Sequence, residues 1–552
     1  MRRLISVFVI LPVLCCGPTL QERQMKAFID AHLEKVKPQD KERKLLNWRA
    51  ATTGESEAFE KAGELELKWR QLYSEKAGFQ KTEKYATIQD PVLARQGQLL
   101  YYTYLENQIE SDLLKKIVDK STRIEQKFTT FRGILDGRKV SDNEIQDILV
   151  NETESGKREK AWLASKQVGR EVAQDVIELV RLRNQAAEQM GYENYHVLAL
   201  TTGEQNIEEL DRIFNRLARL TDEPFRRIKN RLDAVLAERY GIDAAELKPW
   251  HYHDPFFQEV PQVFQLDLNG YYAPKDVKDL ATVFYEGIGL PVESILENSD
   301  LYAREGKNQH AFCTDIDREG DIRILCNLKN DQRWMDALLH ELGHAVYDKY
   351  QDPNTPYLLR TPAHAFTTEA VAMLFGRLSQ NAAWMRDMLG LSDGERAEIE
   401  KVSSSYLQFK QLIFARWAMV MYEFEKSLYA TPDGNLDDLW WNLVEKYQYV
   451  QKPADRHEPD WAAKIHIAMY PCYYHNYLLG ELLASQIHHY LVFDLLGLNS
   501  DKDVSYVGEK RIGDFLKTKI FEAGAVYTWG KMIERAMGES LTPDYFVQQF
   551  VN

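Results

Sequence analysis

The chain has 552 residues, 44% of them apolar, and a formal net charge of −15. That charge argues against a nucleic-acid partner, and the apolar content is ample for a large core. With no Gly/Ser-rich or Pro-rich linker and no repeat of fixed period, the length alone does not divide the chain into domains.

Arg2 and Arg3 precede an apolar run from Leu4 to Leu14 that is too short to span a membrane and ends at Cys15-Cys16-Gly17. This is the layout of a secretory signal. A cysteine at the cut resembles a bacterial lipoprotein signal with Cys16 as the lipidated residue; the plainer reading is an ordinary cleaved signal. The expectation is a signal over residues 1–16 and a mature chain over 17–552, exported to a bacterial periplasm and touching the membrane only through an N-terminal lipid. No other stretch is apolar and long enough to span a bilayer.

From Gln21 to Gly78 the pattern predicts two charged amphipathic helices broken at Thr52-Thr53-Gly54, with Phe28, Leu33, Val36, Trp48, Phe59 and Trp69 on the apolar face. The charges between them read as a solvated surface. Helices continue from Pro91 to Leu149 with a polar break at Asp136-Gly137, and again from Thr153 to Leu200. The latter includes Arg183-Asn184-Gln185-Ala186-Ala187 and Gly191-Tyr192-Glu193-Asn194-Tyr195, to which no chemistry is assigned; Gly191 reads as a helix end. In the aromatic stretch Trp250-His251-Tyr252-His253 two histidines spaced two apart could bind metal or substrate, but a loop this dense in aromatics reads first as a packed connection that walls a cleft.

The clearest β signal is the hairpin from His310 to Asn327. A two-residue turn at Glu319-Gly320 sets Cys313 opposite Cys326, close enough for a disulfide in an exported protein. Cys472 is left as a packed thiol.

The next helix, from Asp331 to Tyr350, carries His340-Glu341-Leu342-Gly343-His344. Trp334, Leu338, Leu342 and Val346 recur at helical spacing, and Asn330 or Asp331 is the N-cap. Histidines four apart share one helix face, so two imidazoles can reach one tetrahedral ion, and Glu341 can reach a water on it. Chance gives this pattern roughly 0.03 times in a chain of this composition, so two incidental histidines are the weaker reading. A second helix, starting at Thr361-Pro362, supplies a third ligand from Glu369, with His364 as its rival. A His₂Glu set favours one Zn²⁺ ion with an open fourth position, and Glu341 as general base.

Helices follow over Arg396–Tyr429 and Asp438–Tyr449. From Asp460 to Leu491, His466, Tyr470, Tyr473, Tyr474, His475 and Tyr477 crowd around Pro471. A histidine and a tyrosine there are the donors that a tetrahedral oxyanion needs.

Together these segments resemble the angiotensin-converting enzyme family of zinc metallopeptidases, and the Arg-Asn-x-Ala-Ala and Gly-Tyr-x-Asn-Tyr stretch also looks like the thimet oligopeptidase and oligoendopeptidase families. The resemblance implies a mainly α fold: a helical ellipsoid of two subdomains around a deep cleft, with a small antiparallel hairpin beside the zinc helix. It implies that His340, His344 and Glu369 hold zinc and that Glu341 is the base; Arg360, at the family's spacing, supports Glu369 over His364. Ala463-Lys464-Ile465-His466 is similar to the family's Ala-Lys-Phe-His, so Lys464 would hold a substrate C-terminal carboxylate and His466 a substrate carbonyl. Tyr474 would join the carboxylate clamp and Tyr477 would donate to the oxyanion. His310-Ala311 resembles the edge strand that lines the substrate.

The sequence departs from the family at four places. The spacing from His466 to the tyrosines is one residue longer. Asn476 replaces an arginine that helps bind chloride, Met373 replaces an aspartate behind a zinc histidine, and Tyr252 stands where a glutamine joins the carboxylate clamp. The expected activity is release of dipeptides from the C-terminus of short peptides by a monomeric enzyme. The alternatives are internal cleavage by an oligoendopeptidase and, from another class, a lipoprotein that binds peptides without cutting them.

Overall fold

The computed structural model describes residues 17–264, 267–501 and 504–551. The expected signal, residues 1–16 with Cys16, lies outside the described residues. What is described is mainly α-helical, with two short antiparallel hairpins. None of its helices is long and apolar enough to cross a membrane.

Helix α1 (Leu20–Thr53) begins at a capping box in which the Thr19 hydroxyl and the Glu22 carboxylate each accept the other's backbone N–H. It turns at Gly54, whose φ of +71° a side chain would resist, into α2 (Ser56–Tyr73). These two helices and α3 (Pro91–Glu106) enclose a small core of their own around Met25, Ile29, Val36, Tyr73 and Tyr104.

The polar break at Asp136-Gly137 is a hairpin rather than a loop between helices. Strands β1 (Gly133–Leu135) and β2 (Arg138–Val140) pair across two residues with φ of +50° and +78°. Positive φ at both positions is the turn that Asp-Gly favours.

Two long helices, α4 (Ser155–Gln189) and α5 (Ile207–Tyr240), form the next layer. The aromatic connection after α5 packs as a core. His251 meets the Ser155 hydroxyl at 2.8 Å and His253 the Tyr240 hydroxyl at 2.9 Å, so both rings are satisfied and neither is free for a metal. Tyr252 is likewise interior, its hydroxyl donating to Asp233 and accepting from Lys229.

The hairpin of β3 (Phe312–Asp315) and β4 (Ile322–Leu325) forms, but in another register: Cys313 faces Ile324, and Cys326 lies beyond the paired residues. Both cysteines are free thiols, so the expected disulfide is absent. The turn is wider than two residues because aspartate side chains build it. Asp315 accepts the N–H groups of Asp317 and Arg318, and Asp317 those of Glu319 and Asp321.

The hairpin leads into α6 (Gln332–Lys349), capped by Asp331 accepting from the Trp334 N–H at 2.8 Å. Leu338, Leu342 and Val346 are fully buried, each contributing about 1.5–3 kcal/mol. Against α6 lies α7 (Ala365–Gly376), which starts later than Thr361-Pro362 predicts, because His364 is its N-cap and accepts from the Phe366 N–H. The long α8 (Asp393–Ala430), short α9 (Ile465–Met469) and α10 (His475–His489) complete the surroundings of the site.

Candidate metal centre

Helices α6 and α7 approach unusually closely. A Cβ on Gly343 would stand 2.7 Å from the Ala372 Cα, so the glycine inside the His-Glu-Leu-Gly-His motif sets the spacing. On the other side of α7, a Cβ on Gly480 of α10 would lie 3.1 Å from the Glu369 Cβ. Three helices thus converge on Glu369 with no room for side chains at those two points.

The convergence brings His340, His344 and Glu369 together. Their donor atoms lie within 4.8 Å of one another. The two histidine Nε2 atoms are 3.2 Å apart, and Glu369 Oε2 is 3.7 and 3.9 Å from them. Donors about 2.0–2.1 Å from a tetrahedral zinc stand roughly 3.3 Å apart, so the imidazoles are already at ligand spacing and the carboxylate needs a shift of about half an ångström. Burial holds His340 neutral, down at about 4, and burial with the neighbouring His340 also holds His344 well below the usual imidazole range. A neutral imidazole is the form that binds metal. His344 Nδ1 meets the Thr368 hydroxyl at 2.8 Å, which orients Nε2 toward the shared point. Thr368 thereby does for His344 what an aspartate at position 373 does for a histidine in the family. The donor set fits one zinc ion.

Glu341 is buried beside the triad, and burial, then the Glu369 charge, raises it to about 8. Burial and the Glu481 charge raise Glu369 to about 7. Two buried carboxyl groups this close are stable as anions only with a cation between them. His364 does not join the metal set.

The triad and Glu341 face a cavity of about 610 Å³ that is also lined by Lys44 of α1, by Ala311 and strand β3, by Arg360 and by Tyr477. A second cavity of about 570 Å³ shares Met373 and Tyr477 with the first and holds Gln258, Lys410, His466 and Tyr474. Tyr477 therefore stands at the junction. Rings of Tyr474 and Tyr477 are 5.5 Å apart, and those of His466 and Tyr474 5.1 Å apart. In the α9–α10 connection before the tyrosines, Cys472 adopts φ +56°. His466 Nδ1 is buried without a partner, and burial keeps the ring down at about 4.

Lys464 is buried, donates to Gln258 Oε1 at 2.6 Å, and lies over the rings of Phe256, Trp417 and Tyr474 at 5.3–5.5 Å. Tyr474 Oη accepts from Trp417 Nε1 at 2.8 Å, leaving its own O–H free to donate. The glutamine beside the lysine is thus Gln258, not a residue at position 252. Asp254 positions it by accepting the N–H groups of Phe256, Gln258 and Glu259. Asn476 is turned away from the cleft, accepting from Gln205 at 2.7 Å. His310 is exposed and does not line the metal cavity, whereas Ala311 does.

Residues 19–247 match the family model described as angiotensin-converting enzyme, and residues 298–552 match peptidase family M3. The angiotensin-converting enzyme-like protein Ace3 of Mus musculus is 21% identical over 442 residues, covering 72% of this chain and 57% of that protein. An angiotensin-converting enzyme of Theromyzon tessulatum is 23% identical over 237 residues, covering 42% of this chain and 38% of that protein. The chain therefore spans less than two thirds of either relative. With each of its two parts matching a metallopeptidase family, the chain resembles the angiotensin-converting-enzyme-like zinc metallopeptidases.

Proposed function

We propose that this protein is a zinc-dependent peptidase that removes dipeptides from the free C-terminus of short peptides. The observation that carries the reading is one cavity in which His340, His344 and Glu369 form a ligand triangle, Glu341 stands beside it and Tyr477 faces it. When bound there, zinc supplies a Lewis acid that polarises the scissile carbonyl and acidifies water. Glu341 takes the proton of the attacking water and returns it to the leaving amine. A cation held by His340, His344 and Glu369 would favour the charged form of Glu341 and bring it toward a base's range. Tyr477 O–H and a ring N–H of neutral His466 donate to the carbonyl oxygen as it gains charge. Lys464, Gln258 and Tyr474 hold the terminal carboxylate in the adjoining cavity, which sets the distance to the cut bond. Ala311 and β3 present a strand edge to the backbone on the other side of that bond.

The match of residues 298–552 to peptidase family M3 favours a second reading, internal cleavage of short peptides. On the layout of residues 2–17 we place the protein outside the cytoplasm, held to a membrane through Cys16, with residues 17–552 as one catalytic unit acting as a monomer.

Incubating a peptide library with wild type, with chelated enzyme and with Glu341→Gln, and reading products by mass spectrometry, tests the proposal. Expected are zinc-restored cleavage in wild type and a kcat lower by roughly 10²–10⁴ in zinc-loaded Glu341→Gln. No cleavage by zinc-loaded wild type would leave a peptide-binding protein.

A further inference from the structure

The Arg183-Asn184 motif on α4 takes no part in the site as described, yet it reaches the segment that carries the site's donors. Arg183 is buried, and its Nη2 donates to the Ala468 carbonyl at 3.0 Å, two residues beyond His466. Its Nη1 donates to the Tyr429 hydroxyl on α8 at 3.1 Å. Asn184 completes the link, donating to the Tyr429 carbonyl and accepting from the Tyr195 N–H. One turn before Tyr429, Glu425 is buried on the same helix and accepts the Cys472 N–H at 2.6 Å.

Two features give these contacts their meaning. Ala468 lies in the last turn of α9, where helix carbonyls lack helical partners. Cys472 adopts φ +56°, a conformation that costs a non-glycine residue free energy unless its surroundings impose it. Between the two anchors Tyr470 swings out to 58% exposure. Arg183 and Glu425 thus grip both ends of the bend that separates His466 from Tyr477.

We propose that Arg183 and Glu425 are positioning residues for the reaction. They act on it by fixing the α9–α10 bend, which sets His466 and Tyr477 at one spacing around the substrate carbonyl. The proposal rests on the peptidase reading above. Neither residue lines the metal cavity or its neighbour. Both touch the reaction only through the bend, so their loss lowers kcat more than it raises KM.

The test begins with kcat and KM of wild type, Arg183→Met, Arg183→Lys, Glu425→Leu and Glu425→Gln on one peptide, with circular dichroism and melting followed in parallel. A donor displaced by an ångström costs roughly a hundredfold, so Arg183→Met and Glu425→Leu are expected to lose about that factor in kcat with KM within about threefold. Glu425→Gln keeps an acceptor for the Cys472 N–H and recovers most of the loss. In a Tyr477→Phe background the same Arg183→Met change is expected to cost less than about fivefold, because one of the two donors whose mutual spacing it sets is gone. A merely structural role would cost the same factor in both backgrounds. Independently of turnover, maleimide labelling mapped to Cys472 is expected to quicken at least about tenfold in Arg183→Met and Glu425→Leu, since the bend then opens locally.

A kcat within about threefold of wild type in both variants, or an equal cost in the two backgrounds, overturns the proposal. Should Arg183→Met not fold, Arg183→Lys, which keeps the charge beside Glu425, replaces it in each comparison. Wild type that cuts no peptide defeats the peptidase reading by itself. The labelling then decides the bracket alone, and unchanged Cys472 reactivity overturns it.

Discussion

Replacing Lys464 by methionine should erase the distinction between free and amidated peptide ends. Its ammonium has three donors, of which Gln258 Oε1 takes one at 2.6 Å. On the proposed clamp, the other two and the free O–H of Tyr474 meet the carboxylate. A hydrogen bond to a charged group contributes about 1.5–3 kcal/mol, so Lys464→Met should raise KM for the free acid about 10–150-fold. Methionine fills the space among Phe256, Trp417 and Tyr474, which limits the change to the lost charge. The amide, which gains little from the ammonium, should be cut at nearly the same low efficiency by both proteins. Burial lowers Lys464 to about 8, with Asp254 and Glu259 opposing the shift. The charged form therefore dominates below that pH and is lost above it, so wild-type preference for the free acid should fade as pH rises through about 8. The assay is initial rates on a matched acid and amide pair across that range. Equal rates on the two by wild type, or discrimination kept by Lys464→Met, would refute the clamp and favour internal cleavage.

Tyr477→Phe should lower kcat roughly 10²–10³-fold with KM little changed, the signature of a donor that acts on the transition state, read from steady-state kinetics. Thr368→Val should weaken zinc affinity roughly 10–100-fold by freeing His344 Nδ1, measured by competition with a chromophoric chelator. Alkylation after denaturation without reductant should modify Cys313, Cys326 and Cys472 alike in mass spectra. Protection of the first two would show the disulfide that the observed register lacks.

What the sequence shows of this site is what lies within a turn or two of helix. The His-Glu-Leu-Gly-His spacing and the Asp331 cap are consequences of residues three or four apart, where helical geometry alone decides which side chains meet; Glu369 was separated from His364 by the family resemblance instead. The hairpin was legible as an element but not in register, since Asp315 and Asp317 could be read as ordinary turn residues although their carboxylates widen the loop. Thr368 carried a faint signal, a hydroxyl one residue before the ligand. Gln258 carried none: it meets a lysine 206 positions away, and nothing local separates it from the neighbouring aromatic residues that pack. His310 failed for a related reason. It was read as part of the edge strand, which begins only at Phe312, and which way the chain faces there depends on the body it joins.

The same reasoning explains why α1 looked like mere surface. Its charges do face outward from its own small core, as amphipathic spacing requires. Yet Lys37, Lys41 and Lys44 meet Glu319, Asp317 and the Asp315 carbonyl of the hairpin, 271 to 282 positions onward. Arg304 donates to the Thr52 carbonyl at the helix end, and the buried Lys307 gathers Asp300, Tyr302 and Cys326 carbonyls beneath it. The edge of the cleft nearest Ala311 is therefore closed largely by ion pairs and backbone bonds, with the Trp48 ring edge-on to Phe312 at 6.0 Å beside them. Exposed pairs of this kind contribute little each and weaken with salt, whereas the helices that hold the metal ligands share one fully buried core. Rigidity is thus concentrated around His340, His344 and Glu369, whereas the wall that α1 builds on the hairpin is joined by the weaker kind of contact.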